Sequence, residues 1–258
     1  LSQYPWIAEY EKWNINPNFV VPDPKVTLAA VINDKLKIFA NKTAFIYLNQ
    51  KFTFQEVDDL SQRIALFLQQ QGIQAGSRIA VMLPNIIQYP IVGFAILRAG
   101  YILVNVNPLY TQRELYHQLQ DSGAQVLIGL NATLAQLQHL EQCHNLTHLI
   151  TTSPTDIVLN TSTQPSISTL ASHQQAFDLL SILHHTESAE LKIPEQQQQD
   201  TVILQYTGGT TGLSKGAELS HANILFNVAQ NSTVFISHFG DRTAQEDEAV
   251  LCALPLYH

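Results

Sequence analysis

The stretch "SRIAVMLPNIIQYPIVGFAILRAGYILVNVNP", from Ser77 to Pro108, decides the fold of this chain. It contains the short apolar run "RIAVML", a longer segment that ends at Gly100, and a second apolar run, "YILVNV". Short apolar runs bounded by turn residues are typical of buried strands, and a glycine after a periodic segment ends a helix. The order predicts a strand, a helix and a second strand parallel to the first.

Upstream of this unit, "TAFIYLNQKFTF" (Thr43 to Phe54) alternates between polar and apolar residues and predicts a β-hairpin with its turn at "NQK". A helix is predicted to follow. Thr53 is its expected N-cap, Glu56 completes a capping box, and Gly72 is its stop signal.

Downstream, strands and helices continue to alternate. "TQRELYHQLQDSG" predicts a helix capped by Thr111 and Glu114, and "NATLAQLQHLEQCHN" predicts another helix. The runs "AQVLIGL", "LTHLITT" and "TVILQY" predict strands, "DEAVLCALPLYH" predicts a further buried strand, and Ser220 is expected to cap a late helix. The predicted fold class is α/β: a parallel sheet flanked by helices, in αβαβα layers.

Composition excludes several classes of function. The 258 residues carry a net charge of −8, which argues against nucleic acid as a partner because binding to phosphate backbones needs a basic surface. No window reaches the roughly 18 uninterrupted apolar residues that favour a membrane-spanning helix. Two cysteines are too few for a disulfide framework, and they predict a reducing, cytoplasmic location.

The segment "LQYTGGTTGLSKGAELSH", from Leu204 to His221, combines glycines, hydroxyl side chains and one lysine directly after a predicted strand. Successive backbone N–H groups in glycine-rich loops bind anions, and Thr and Ser hydroxyls add donors. The glycine spacing matches neither the Walker pattern nor the dinucleotide fingerprint. The residues therefore indicate a phosphate-binding loop of another kind, and a simple turn between strands is the alternative.

The loop "YTGGTTGLSKG" resembles the phosphate-loop signature of the adenylate-forming superfamily. With "KGAELSHANIL" it is most similar to bacterial long-chain fatty acyl-CoA synthetases, and "FTFQEV", "VNVNPLYTQREL" and "ALPLYH" follow in that family's order. The resemblance implies that the chain is the incomplete N-terminal domain of an enzyme that converts a fatty acid and ATP into acyl-adenylate, and then with CoA into acyl-CoA. It also implies Mg²⁺ as the metal, and a homodimer for the full-length enzyme.

The same resemblance assigns roles to individual residues. Lys215 adds positive charge beside the phosphates, Thr210 helps to hold Mg²⁺, and Tyr257 and His258 contact the substrate; Lys215 and His258 support catalysis. The expected ATP-binding residues are Tyr206, Thr207, Gly208, Gly209, Thr210, Thr211, Gly212, Leu213, Ser214, Lys215, Gly216 and Ala217.

The predicted organisation has three segments. Residues 1–152 hold an N-terminal segment and the first sheet subdomain, and residues 201–258 hold the phosphate-loop hairpin, a helix and the start of the remaining sheet. Between them, residues 153–200 are predicted to form a polar excursion with one short helix, "AFDLLSILHH". The family's later motifs are absent, so we expect a sequence truncated at residue 258 and a fragment that is inactive alone.

Other possibilities follow from the same residues. The enzyme could be a fatty acyl-AMP ligase or another acid:CoA ligase of the superfamily, and the non-enzyme alternative is a nucleotide-binding or interaction module. Peripheral contact with the inner face of the cytoplasmic membrane lacks support from charge, since no Lys or Arg lies between Arg113 and Lys192. A metal site at His139, Cys143, His144 and His148 is disfavoured because the side chains point in different directions around a helix.

Overall fold

The computed structural model describes residues 4–16, 21–161, 167, 170–187, 189–207, 214–239 and 249–257. Helices and strands alternate along most of these ranges. The helices are α1 (Ile7–Lys12), α2 (Leu28–Ile38), α3 (Phe54–Gln70), α4 (Gln88–Arg98), α5 (Gln112–Ser122), α6 (Asn131–Leu134), α7 (Asp156–Leu159), α8 (Leu179–His185) and α9 (His221–Phe239). The strands are β1 (Thr43–Tyr47), β2 (Gln50–Thr53), β3 (Arg78–Met82), β4 (Ile102–Asn105), β5 (Val126–Leu130), β6 (His148–Thr152), β7 (Gln175–Asp178), β8 (Thr201–Thr207) and β9 (Lys215–Ser220).

One large sheet organises the described residues. Its seven strands have the order β7-β6-β5-β3-β4-β8-β9, while β1 and β2 form a separate antiparallel hairpin. Every neighbouring pair in the large sheet is parallel except β8 and β9, which are antiparallel. The predicted α/β fold with a parallel sheet flanked by helices is confirmed, except that β9 adds an antiparallel edge strand.

The central strand β3 is buried on both faces, as parallel strands between helices are. Ile79 and Val81 belong to the core that α2, α3, α4 and α8 cover. Ala80 and Met82 point to the opposite core, which α5 and the chain after β5 cover. The helices therefore lie on both sides of the sheet.

The local signals around the helix starts are confirmed. Thr53 caps α3: its hydroxyl accepts from Glu56 N at 3.2 Å, and its own N–H donates to the Glu56 carboxylate at 2.7 Å. Thr111 and Glu114 form the same reciprocal pair at the start of α5. After α4, Gly100 has φ +76°, a conformation that glycine adopts without strain.

The predicted hairpin is confirmed, but its turn lies earlier than "NQK". Leu48 and Asn49 have positive φ angles of 47° and 63°, and Gln50 and Lys51 already belong to β2. Two-residue turns with positive φ at both positions suit the twist of a hairpin. The turn is thus fixed by strand geometry and not by the most polar residues.

The helix predicted for "NATLAQLQHLEQCHN" is wrong over most of its length. Only α6 is helical there, and a 3₁₀ turn follows at Leu140–Gln142. His139 has φ +58°, a left-handed conformation that an α-helix does not contain. The break places Leu137 and Leu140 in the core beside Leu134, so burial overrides the helical pattern.

The helix predicted for "AFDLLSILHH" begins too early. Its first residues belong to β7, which pairs with β6, and α8 begins only after Asp178, whose carboxylate accepts from Ser181 N at 2.8 Å. Residues 153–200 therefore supply a strand and a buried helix, and they are not simply a polar excursion. One sheet takes strands from all three predicted segments; the boundaries at 152 and 200 stay a prediction.

The buried strand predicted near the end of the sequence is also wrong within the described range 249–257. No strand is present there, and Val250, Leu251 and Leu254 are 84%, 89% and 82% exposed. The neighbouring strand β8 already pairs with β4 on one edge and β9 on the other.

Within the described ranges, no helix combines the length and apolarity needed to cross a bilayer.

Candidate functional site

The glycine-rich loop joins two paired strands. In the β8–β9 register Thr207 lies opposite Lys215, and Tyr206 lies opposite Gly216. These four residues form what we call the loop stem. The predicted ATP-binding residues between the two strands that lie outside the described residues are Gly208, Gly209, Thr210, Thr211, Gly212 and Leu213.

The stem lies at the carboxyl edge of the sheet. Because β8 runs parallel to β4, the loop leaves β8 where the parallel strands end. Open α/β sheets bind ligands in the crevice outside the carboxyl ends of their strands. The position of the stem is therefore that of a ligand-binding loop in this class of fold.

Tyr206 anchors the first strand of the stem. Its side chain is 5% exposed, and its hydroxyl donates a hydrogen bond of 2.6 Å to the Asp121 carboxylate on α5. Burial, and then the hydrogen bond and charge of Asp121, raise the pKa of Tyr206 far above its ordinary value. Tyr206 is therefore a neutral donor at physiological pH.

Gly216 packs directly against that aromatic ring. A Cβ atom at Gly216 would lie 2.9 Å from both Cε2 and Cζ of Tyr206, closer than carbon atoms can approach without strain. The glycine after Lys215 is therefore required by the Tyr206 ring and not by a turn.

The second strand of the stem also contacts α5 and the loop before it. His117 Nε2 lies 3.3 Å from the carbonyl oxygen of Ser214. Burial, and then the charge of Glu114, raise the pKa of Tyr110, and a hydrogen bond of its side chain with Ser214 opposes this rise. His117 and Asp121 are four residues apart on α5, so one helix face contacts Tyr206 on β8 and Ser214 directly before β9.

Lys215 lies at the base of the loop with its side chain exposed. It forms no ion pair with any side chain in the part of the chain that the structure describes. The ammonium group is therefore available to an anionic ligand beside the loop. Ser214 and Ala217, the other described members of the predicted ATP-binding set, flank the stem residues on β9 and just before it.

A second group of polar side chains connects Tyr257 to the sheet. Tyr89 donates to Asn105 at 2.7 Å, Asn105 donates to the Gln205 side chain at 2.8 Å, and Gln205 donates to the carbonyl oxygen of Tyr257 at 3.1 Å. Gln205 directly precedes Tyr206 on β8. The predicted substrate residue Tyr257 is thus linked to the loop strand, whereas His258 lies outside the described residues.

The structure brings together part of the predicted set. Tyr206, Thr207, Lys215 and Gly216 meet at the stem, and their binding roles stay predictions. Sequence reasoning missed the contacts of Asp121 and His117 as well as those of Asn105 and Gln205. In the sequence these residues are visible only as polar residues near the ends of predicted strands or four apart on a predicted helix. Many ordinary surface residues occupy such positions.

The cluster of His139, Cys143, His144 and His148 does not assemble as ligands. Within the described ranges, no group of three or more His, Cys, Asp or Glu side chains could hold a metal ion. Burial, with Glu141 nearby, raises the pKa of the Cys143 thiol to about 11, so the thiol stays protonated.

The described part of the chain thus has a mostly parallel sheet with helices on both faces, and its glycine- and hydroxyl-rich loop follows β8 at the carboxyl edge. Two solved structures share the fold. One is the anthranilate CoA ligase AuaEII in complex with anthranoyl-AMP, with a TM-score of 0.66 and 21% identity over 78% of this chain and 36% of that chain. The other is the o-succinylbenzoate CoA synthetase of Bacillus subtilis, with a TM-score of 0.64 and 23% identity over 88% of this chain and 39% of that chain.

The chain belongs to the AMP-binding enzyme family, whose model matches residues 33–258. It is 36% identical over 254 residues to a long-chain-fatty-acid–CoA ligase of Escherichia coli, covering 94% of this chain and 44% of the relative. It is also 34% identical over 269 residues to the ligase of the same name in Bacillus subtilis, covering 100% of this chain and 46% of the relative. The chain thus spans less than half the length of these curated relatives.

Proposed function

We propose that this chain is the ATP-binding N-terminal part of a long-chain fatty acid:CoA ligase. The observation that carries the proposal is the loop stem: a loop of glycines, hydroxyls and one exposed lysine leaves paired strands at the carboxyl edge of the sheet. The family and the names of the relatives support the same reaction. In the proposed reaction, ATP and CoA are substrates together with the fatty acid.

The proposed chemistry has two steps. A carboxylate oxygen of the fatty acid attacks the α-phosphorus of ATP, and the bond to the bridging oxygen breaks, which releases pyrophosphate. The CoA thiolate then attacks the acyl carbonyl, and AMP leaves. Negative charge accumulates on the departing pyrophosphate, where preorganised donors lower the barrier most effectively.

The loop stem suits that task because its ends are held in place. Tyr206 is bonded to Asp121, and the Ser214 carbonyl lies against His117 on the same helix. A glycine-rich loop loses much conformational entropy when it orders, and fixed ends reduce the part of that cost left to the ligand. Residues 207–212 would then cradle the β- and γ-phosphates, with the charge of Lys215 beside them.

Mg²⁺ enters the proposal through Thr210, which lies outside the described residues. When bound, the ion would neutralise charge on the phosphates. The described side chains offer no group of three carboxylate, histidine or cysteine ligands, so we assign no step to the ion.

The proposal includes a cytoplasmic location and contact with the inner face of the cytoplasmic membrane. It also includes a homodimer of the full-length enzyme. Both cysteines, Cys143 and Cys252, are free thiols, which suits a reducing compartment. Fractionation of cells into soluble and membrane pools tests the location, and light scattering of the purified full-length protein tests the dimer.

The reaction is tested with the full-length protein, ATP, CoA and oleate, by following pyrophosphate release and oleoyl-CoA formation. We expect both products, and a large loss of pyrophosphate release in Lys215→Ala. Lys51→Ala, which removes an exposed lysine from the separate hairpin, should keep wild-type turnover. Residues 1–258 alone should release little or no pyrophosphate.

The alternatives give different results in the same assay. Oleoyl-AMP that accumulates without conversion by CoA would identify an acyl-AMP ligase. Turnover with an aromatic acid and none with oleate would identify another acid:CoA ligase. ATP binding without turnover of any acid would identify a nucleotide-binding module and refute the proposal.

A further inference from the structure

We propose that Asn85 is a positioning residue: its side-chain amide docks residues 252–257 on the carboxyl edge of the sheet and so sets Tyr257 for the acyl substrate. The inference rests on the proposed function for the identity of that substrate. The docking itself rests on contacts of the described residues.

The side-chain amide of Asn85 forms hydrogen bonds with the backbone of one short segment, residues 252–256. Its Nδ2 donates to the carbonyl oxygens of Cys252 at 2.9 Å and Leu254 at 2.8 Å. Its Oδ1 accepts from the backbone N–H of Leu256 at 2.9 Å. A primary amide has two N–H donors and one carbonyl acceptor, so these bonds engage both of its functions. One side chain therefore supplies the backbone bonds that a neighbouring strand would otherwise supply.

The docked segment has little other support on its outer side. Leu251 and Leu254 are more than four-fifths exposed, and the described residues 249–257 form no strand. On its inner side, Leu256 and Tyr257 pack against the core that α3 and α4 cover. The amide of Asn85 thus fixes the stretch that leads into this apolar contact.

Asn85 lies at the point of the sheet where ligands of this class of fold bind. It follows β3 and precedes α4, whose first residue is Gln88. In the strand order β6-β5-β3-β4, the chain runs from β3 to β4 towards one edge of the sheet and from β5 to β6 towards the other edge. The crevice beyond β3 and β5 is therefore a topological switch point, where open α/β sheets bind their ligands.

A separate contact links Tyr257 to the phosphate loop. Gln205 donates to the Tyr257 carbonyl oxygen and accepts from Asn105, and it is one residue before Tyr206 in the loop stem. Because Asn85 forms no hydrogen bond with the described residues of β8 or β9, its loss should leave the stem in place. The acyl substrate should therefore be affected more than ATP.

The docking is tested first without any substrate, by amide hydrogen exchange in the full-length protein. Asn85→Ala should accelerate exchange in the peptide that contains Leu256, because that N–H loses its acceptor. Asn231→Ala, which removes an exposed asparagine from α9, is the matched control and should leave this peptide unchanged. Unchanged exchange in Asn85→Ala would overturn the docking.

The positioning is tested by pyrophosphate release at varied oleate and varied ATP. Asn85→Ala should lower kcat/KM for oleate by about 100-fold, the loss that a misplacement of about 1 Å can cause, while KM for ATP stays at the wild-type value. If Asn85→Ala fails to fold, the isosteric Asn85→Asp carries the test: it keeps the acceptor for Leu256 N–H and turns a carboxylate oxygen towards the carbonyls of Cys252 and Leu254.

The outcomes separate this inference from the proposed function. If the wild-type protein shows no turnover, the proposed function fails, and with it the acyl role of Asn85, whereas the exchange result still decides the docking. If the wild-type protein is active and the variants keep its kcat/KM for oleate, positioning is refuted. Equal losses for oleate and ATP would also refute it, because they indicate a general loss of structure.

Discussion

The approach of Gly216 to the Tyr206 ring allows a quantitative test of the loop stem. A Cβ atom introduced by Gly216→Ala would lie 2.9 Å from two ring carbons and 3.3 Å from the phenolic oxygen. The ring is 5% exposed and is held by its hydrogen bond to Asp121, so it cannot move away without losing contacts. The substitution therefore forces either strain or the loss of that bond.

The expected cost follows from these alternatives. Overpacking of a well-packed site costs about 1–3 kcal/mol, and loss of a hydrogen bond to a charged group costs about 1.5–3 kcal/mol. Because Asp121 is exposed and water can replace its partner, we take about 2 kcal/mol as the loss in unfolding free energy. For a chain of this size, about 2 kcal/mol corresponds to a fall in Tm of about 4–8 °C.

Thermal unfolding of the 258-residue chain, followed by circular dichroism, measures this effect. The matched control is Gly93→Ala in α4, since no heavy atom other than the helix's own nearby backbone lies within 4 Å of a Cβ built there. In a helix interior that change is expected to stabilise by about 0.5–1 kcal/mol. In a Tyr206→Ala background the Gly216→Ala change should cost almost nothing, because the ring is gone. A wild-type Tm for Gly216→Ala, or the same loss in both backgrounds, refutes the reasoning.

Three further predictions concern buried polar groups. Tyr206→Phe removes the hydroxyl that bonds to Asp121 on α5 and should lower the unfolding free energy by about 1.5 kcal/mol in a urea titration, and raise KM for ATP in the full-length protein. Arg98→Leu should cost about 3–5 kcal/mol by the same titration, because Arg98 Nη1 lies 2.5 Å from the carboxylate of Asp58 and both side chains are buried. His221 is buried and its Nδ1 accepts from Leu28 N at 3.0 Å; burial lowers its pKa although nearby Asp200 opposes the shift. The unfolded state then binds the proton more tightly than the folded state. The contribution of His221 to stability is therefore complete above its unfolded pKa of about 6.5 and decreases as pH falls towards its folded pKa. Urea midpoints measured from pH 7.5 to 5 should fall less in His221→Gln than in the wild-type chain.

Exposed residues of the same types provide the controls. Tyr10→Phe, Arg113→Leu and His173→Gln change side chains that lie partly or largely in water, and their urea midpoints should stay near that of the wild-type chain. Loss of stability in these controls equal to that in Tyr206→Phe or Arg98→Leu would contradict the assigned contacts. An unaltered pH dependence in His221→Gln would show that other groups cause the acid sensitivity.

Several elements of the fold were predictable because short-range chemistry fixes them. The capping box of Thr53 and Glu56 joins residues three apart, so it is visible in any sequence that contains it. The strands of the central unit were equally visible, since burial on both faces demands continuous apolar runs. The glycine-rich loop was predicted to bind phosphate because its glycines and hydroxyls are adjacent in the sequence.

Other features depended on partners that lie far away in the sequence. His139 breaks a helical pattern because the core needs Leu137 and Leu140, and β7 forms because β6 offers an open edge. The local sequence pattern of these residues also fits a helix. Their side chains alone do not show which strand or core will lie beside them.

The sequence by itself determined the class of fold, the position of the loop and the family resemblance, because each depends on residues that are close together in the chain. The tertiary structure decided how the site is held: Asp121 meets Tyr206 across 85 residues, and Asn85 meets Leu256 across 171. The physical reason is that a hydrogen bond needs a distance near 3 Å in space, and only the packing of strands and helices brings such distant residues together.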